Sequence, residues 1–241
     1  GIPGLLPWLQ QQGASRTVWD RKDVGWLLTE GCRVLVLDGN AWAIALTEQT
    51  HCLTDNLCGG QWRALYGHAE AFVAQYSALG AQLVFIFDGI RPAEKEEELR
   101  GRRFATSVSR WRATAVGLGC NHHLYWDRQR GLSALAETGM RHTETDVGVV
   151  AAALVDLASR FPVEVYESPA GIDADTSIVE YCRRHERRIA GVLTGDNDFL
   201  LLPQPCPIVT IAMHLVPEGF QVQMKSITDR RQVQTLLGGD E

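Results

Sequence analysis

The 241-residue chain is 45% hydrophobic and 22% charged, ordinary values for a folded globular protein, and is long enough for one large α/β domain or a core with one insertion. Its formal charge of −6 argues at first against a nucleic-acid partner. Its six scattered cysteines lack any CxxC pair, which excludes a disulfide framework or a cysteine-based zinc site, and the proline-rich opening Ile2 to Leu9 suits neither a signal nor a membrane span, so an intracellular protein with no membrane attachment is expected.

The first predicted strand, Val34 to Leu37, is closed by Asp38. A helix over Asn40 to Gln49 follows, and then a longer one over Gln61 to Leu79, with Leu65, Ala69, Phe72, Val73 and Tyr76 near helical spacing. The run Leu83 to Phe87 makes a second strand, closed by Asp88. From Ala93 to Val116 the pattern is a charged helix in which Glu94 to Glu98 leads into Arg100, Arg102, Arg103, Arg110 and Arg112. It has too few apolar positions for a deeply buried face, and Gly117 to His142 keeps no clear period, so residues 90 to 145 read as an insertion above the strand ends. An amphipathic helix over Asp146 to Ser159 then leads to the strand Val163 to Tyr166, followed by Asp173 and Asp175. A helix over Thr176 to His185 follows, and a second arginine cluster, Arg183, Arg184, Arg187 and Arg188, spans its end and the residues after it. The strand ending in Gly191, Val192 and Leu193 is followed by Asp196 and Asp198, two strands over Ile208 to Met213 and Phe220 to Met224 come next, and Asp240 lies near the end. Such alternation predicts an α/β fold with a mainly parallel central sheet covered by helices.

Four of the five acidic places follow predicted strands, whose carboxyl ends open onto a common crevice in such a sheet. Crowded carboxylates repel one another, and a hard divalent cation with oxygen ligands, magnesium or manganese, relieves that repulsion. Two such ions would also cancel most of the net charge. Each acid has a structural alternative. The Asp-Gly pairs at 38–39 and 88–89 suit turns, Asp173 or Asp175 suits a helix N-cap, and Asp196 to Asp198 suits a solvated loop.

The ordered set Gly1-Ile2-Pro3-Gly4-Leu5, Val36-Leu37-Asp38-Gly39, Phe87-Asp88-Gly89, Asp173-Ala174-Asp175 and Thr194-Gly195-Asp196-Asn197-Asp198 resembles the flap endonuclease/XPG nuclease superfamily. The short segment between the first strand and Tyr66, the compact insertion and the Asp-Ala-Asp motif resemble its Asteroid branch most closely. The resemblance implies a single PIN-like nuclease domain over 1–241: an N-terminal nuclease region at 1–90, a helical cap at 91–145 and an internal nuclease region at 146–241. The family's helix-hairpin-helix element is expected to be absent.

The implied activity is metal-dependent hydrolysis of phosphodiester bonds in DNA or RNA, at 5′ ends, flaps or junctions, by two magnesium or manganese ions about 3.5–4 Å apart. Asp38, Asp88 and Asp175 match first-metal ligands, Asp173 an acid that binds through water, Asp196 and Asp198 second-metal ligands, and Asp240, in Leu-Leu-Gly-Gly-Asp, a further ligand. Lys95 and Arg102, seven and fourteen residues after Asp88, match a pair that grips the scissile phosphate, with Arg103 beside them. Gly1 and Ile2 correspond to the family's amino terminus near the substrate. The family's base-stacking aromatic falls at Ile44 here, with Trp42 the nearest substitute. A single-stranded or branched nucleic acid, a monomer and a nuclear rather than cytoplasmic setting complete these expectations.

Two departures stand out. Asp-Ala-Asp replaces the family's Glu-Ala-Glu, so each carboxylate is one methylene shorter, and two extra residues separate Pro169 from Asp173. A haloacid-dehalogenase reading of Asp173-Ala174-Asp175-Thr176 fails because Ser168 to Gly171 separates the motif from its strand. The remaining rival is a catalytically weak or inactive RNA- or DNA-binding scaffold of the Asteroid type, with a regulatory role.

Overall fold

The computed structural model describes residues 7–8, 11–12, 15–17, 27–28, 31–50, 61–90, 144–195, 199, 202, 206, 208–216 and 219–228. Its elements in chain order are β1 (Ser15–Thr17), β2 (Val34–Asp38), α1 (Gly39–Thr50), α2 (Trp62–Ala78), β3 (Gln82–Phe87), α3 (Glu144–Leu157), β4 (Val163–Glu167), α4 (Ala174–Arg184), β5 (Ile189–Thr194), β6 (Ile208–Val216) and β7 (Gly219–Thr228). A single turn of 3₁₀-helix, Glu186–Arg188, joins α4 to β5. The predicted cap over 91–145 falls almost wholly outside the described residues. Among those residues no helix is long and apolar enough to cross a membrane.

The strands form one sheet in the order β1-β7-β6-β5-β2-β3-β4. Pairings β4·β3, β3·β2, β2·β5 and β5·β6 are parallel, as expected. The far edge departs from that rule: β6·β7 and β7·β1 are antiparallel. Only residues 217 and 218 separate β6 from β7, enough for a hairpin but not for a crossover back to a parallel position. The three-residue β1 is too short to leave a periodic signal.

Central strands β2, β3 and β5 are nearly continuous apolar runs because helices cover both of their faces. Alternation assigns the faces. Leu35, Leu37, Leu83 and Phe85 join a core with Ala43, Leu46, Phe72, Tyr76, Val150 and Leu154 of α1, α2 and α3. Val34, Val36, Val84 and Ile86 point the other way, onto Ala174, Ile178 and Cys182 of α4. The apolar positions predicted for the second helix, Leu65, Ala69, Phe72, Val73 and Tyr76, are its buried residues.

Trp42 requires a correction. Expected beside a substrate, it is only 3% exposed and lies in the first core, its ring 5.0 Å from Phe72 and 4.8 Å from Phe85 between centroids. The cause is helical phase: Trp42, Ala43, Leu46 and Thr47 form the inward face of α1, which starts directly at the end of β2.

From β2 the chain builds outward through β3 to β4, then returns to the other side of β2 to place β5. Strand order therefore reverses beside β2. In open α/β sheets the crevice outside the strand carboxyl ends at such a reversal is where ligands bind.

Candidate active site

Strands β2 and β3 end in acids at that crevice, and the start of α4 adds two more. Leu37 pairs with Leu193, so the chain leaves β2 at Asp38 and β5 at Thr194 side by side. On the other flank Asp38 pairs with Ile86, which puts Asp88 just beyond the end of β3. Asp38 is 8% exposed, and its Oδ1 accepts the Ala41 N–H at 3.0 Å, so it caps the start of α1. Asp173 is likewise the N-cap of α4, its Oδ1 accepting the Thr176 N–H at 3.0 Å. Asp173 thus has the capping role expected as its structural alternative, whereas Asp38 caps a helix that starts at Gly39 in place of the expected turn. Both caps also set the positive end of a helix dipole at the crevice, where it favours negative charge.

Asp88 is different, because its partner is not local. Its Oδ1 accepts the N–H of Ala174 at 3.0 Å, across 86 residues of sequence. That amide lies between Asp173 and Asp175, so one hydrogen bond ties the end of β3 to both acids at the start of α4. Backbone bonds hold the two loops together: the Ser168 N–H donates to the Phe87 carbonyl at 2.9 Å and the Gly171 N–H to the Ile90 carbonyl at 2.8 Å.

The residues inserted after Pro169 belong to a β-turn. The Ile172 N–H donates back to the Pro169 carbonyl at 3.0 Å, and Gly171 takes φ +83° at the third turn position, as a type II turn requires. This turn delivers the shorter Asp-Ala-Asp to the crevice with its backbone drawn in against Asp88.

Both Asp-Gly pairs need glycine for space rather than for an unusual φ. A Cβ on Gly89 would lie 1.9 Å from the Ser168 carbonyl oxygen, and one on Gly39 would lie 2.8 Å from the Phe87 ring. Neither has the positive φ that marks Gly80 and Gly171. Neither glycine sits in the turn that the Asp-Gly pairs suggest; the packing of adjacent strand ends is what requires glycine there.

Asp38, Asp88, Asp173 and Asp175 are thus gathered at one end of the sheet. Gly1, Ile2, Lys95, Arg102, Arg103, Asp196, Asp198 and Asp240 lie outside the described residues, although Asp196 follows within two residues of Thr194. Among the described residues no group of three or more His, Cys, Asp or Glu forms a cluster able to hold a metal ion. The donor chemistry is nonetheless of one kind: carboxylate oxygens, the ligands of hard cations such as magnesium and manganese, with no thiol or imidazole among them. The Ala174 amide that links Asp88 to α4 had no sequence signal, since a backbone N–H is common to nearly every residue.

No protein-family model matches the chain. Over 47 residues it is 43% identical to the constitutive coactivator of peroxisome proliferator-activated receptor gamma of Bos taurus, a match covering 20% of this chain and 7% of that protein. The Homo sapiens protein of the same name is 40% identical over 47 residues, covering 20% and 5%. Among solved structures, the catalytic core of Rad2 in complex with DNA substrate matches 99% of this chain and 57% of its own, with a TM-score of 0.53 at 16% identity. A second Rad2–DNA complex matches 99% and 58%, with a TM-score of 0.52 at 15% identity. The chain therefore has the flap-nuclease fold. It spans somewhat over half the length of those Rad2 chains, and its matches cover less than a tenth of the coactivators.

Proposed function

We propose that this chain is a metal-dependent nuclease that hydrolyses phosphodiester bonds in DNA or RNA at the crevice formed by Asp38, Asp88, Asp173 and Asp175. The observation that carries this reading is the Asp88–Ala174 hydrogen bond, which draws acids from β3 and α4 together beside the terminal acid of β2. A turn or a cap explains one acid at a time. It does not explain why a carboxylate reaches across 86 residues to the amide between two others. The fold shared with the Rad2 catalytic core, described in complex with DNA substrate, supports the same reading.

Two magnesium or manganese ions would be held by Asp38, Asp88 and Asp175, with Asp173 through water, and by Asp196, Asp198 and Asp240; bound there, they supply charge stabilisation and an activated water. Asp38 and Asp88 are fixed by backbone N–H groups, so ligand geometry is set before substrate arrives. Lys95, Arg102 and Arg103 would grip the scissile phosphate, with Gly1 and Ile2 on the substrate side. Action at 5′ ends, flaps or junctions, by a monomer in the nucleus, and descent in the Asteroid branch belong to the same proposal.

The likeness to a constitutive receptor coactivator favours one second reading, a regulatory scaffold that binds nucleic acid without cutting it. Labelled flap, single-stranded and hairpin DNA and RNA, incubated with magnesium or manganese, decide between the two. Cleavage is expected from the parent and not from the Asp196→Asn/Asp198→Asn variant. A parent that binds these substrates but cuts none, or a variant that cuts equally well, would establish the scaffold or place the chemistry elsewhere.

A further inference from the structure

The second arginine cluster lies at the opposite end of the sheet from the candidate active site. Arg183 and Arg184 end α4, and Arg187 and Arg188 lie in the 3₁₀ turn before β5; all four are exposed. Exposed Arg33 shares this edge: Val34 pairs with Ile189, and the Cys32 Sγ–H donates to the Arg187 carbonyl at 3.5 Å. In a chain of net charge −6, this is a local island of positive charge.

A row of aromatic rings leads to it. Tyr166 of β4 is 44% exposed, its ring centroid lies 5.6 Å from that of Tyr181 on α4, and Tyr181 lies 4.5 Å from His185. Because α4 is the return crossover between parallel strands, the row descends from near the carboxyl end of β4 towards the arginine edge. The two features are joined by hydrogen bonds. Arg188 Nη2 donates to Gln82 Oε1 at 2.8 Å, Gln82 Nε2 donates to Glu164 Oε1, and the Tyr166 hydroxyl donates to Glu164 Oε2 at 2.5 Å. Glu164, Glu180 and Glu186 share this surface, but the five arginines outnumber them, Glu164 is engaged by Gln82 and Tyr166, and Glu180 pairs with Arg184.

We propose that the row Tyr166, Tyr181 and His185 and the arginines beyond it form a track for single-stranded nucleic acid, bases stacking on the rings and phosphates meeting the guanidinium groups. Only its direction, from the crevice to the far edge of the sheet, rests on the nuclease reading. Rings leading into a group of arginines suit an unpaired strand, whose bases offer open faces for stacking. A duplex would engage only the charges, and an acidic peptide would gain nothing from the rings. Arginine further suits phosphate through its paired donors.

The test is fluorescence anisotropy with labelled oligo-dT and oligo-U in EDTA, so that cleavage plays no part. The parent is expected to bind both. Tyr166→Ala should weaken binding at least about fivefold, whereas Tyr166→Phe, which keeps the ring and loses the bond to Glu164, should bind like the parent. Arg183→Ala/Arg187→Ala should also lower the salt-dependence slope of log K by about 1.4, that of two lost phosphate contacts on a single strand. Parent-like affinity in both the Tyr166→Ala and the double arginine variant would overturn the track. So would a parent that binds neither strand, equal binding of a duplex, or displacement by oligo-glutamate at equal charge concentration. Failure of the parent to cut with metal would instead count against the nuclease reading and leave the metal-free binding result intact.

Discussion

Asp88→Asn is expected to reduce metal-dependent cleavage by more than the roughly 10- to 100-fold typical of losing an outer-shell partner of a metal site, while leaving the fold in place. Asparagine has nearly the shape of aspartate, and its Oδ1 can still accept the Ala174 N–H that Asp88 accepts at 3.0 Å. What it loses is the negative charge that a divalent cation needs. The exchange weakens a charged hydrogen bond to a neutral one, which costs about 1 kcal/mol of stability. Asp88→Ala separates the structural role from the chemical one. It leaves the Ala174 amide without that acceptor, costs about 1–3 kcal/mol, and loosens the start of α4. Thermal melting and cleavage of the same preparations check both points. If Asp88→Asn cuts at the parental rate, Asp88 acts only as a tie between β3 and α4.

Trp42→Ala is expected to have the largest effect on stability, about 3–5 kcal/mol, because it empties a site packed against Phe72 and Phe85. In a chain of this size that lowers the melting temperature by roughly 6 °C or more. Trp42→Phe keeps a ring in the same place and removes an indole N–H that has no hydrogen-bond partner among the described residues, so its cost is smaller. Neither effect involves substrate. Nucleic-acid affinity of the folded Trp42→Phe protein should equal that of the parent. A tenfold loss of affinity at unchanged melting temperature would contradict the core assignment and return Trp42 to the substrate side.

These residues also show what was legible in the sequence. Long apolar runs such as Leu83 to Phe87 and the helical spacing of Leu65, Ala69, Phe72, Val73 and Tyr76 gave the parallel core and its covering helices, because burial on both faces of a strand or one face of a helix imposes that pattern. The placement of Asp38 and Asp88 at strand ends, and of Asp173 and Asp175 after β4, was equally legible. Their mutual arrangement was not: it depends on the amide of Ala174 and on a type II turn at Pro169 to Ile172. Trp42 is ambiguous in the sequence because an aromatic four residues after Asp38 looks alike whether the helix turns it inward or outward. Helical phase, fixed by the start of α1 at Gly39, decides that question, and Ala43, Leu46 and Thr47 carried the clue. Tyr166 and Tyr181, 15 residues apart, gave no joint signal until β4 and α4 packed together.

The carboxylates at the reversal of strand order are proposed to hold divalent cations. Electron paramagnetic resonance of manganese titrated into the protein tests it most directly, since it counts bound ions without requiring a substrate. Two bound ions per chain are predicted for the parent, with loss of at least the first of them in Asp38→Asn/Asp88→Asn. A parent that binds no manganese, or a variant that binds as many ions as the parent with equal affinity, would contradict it.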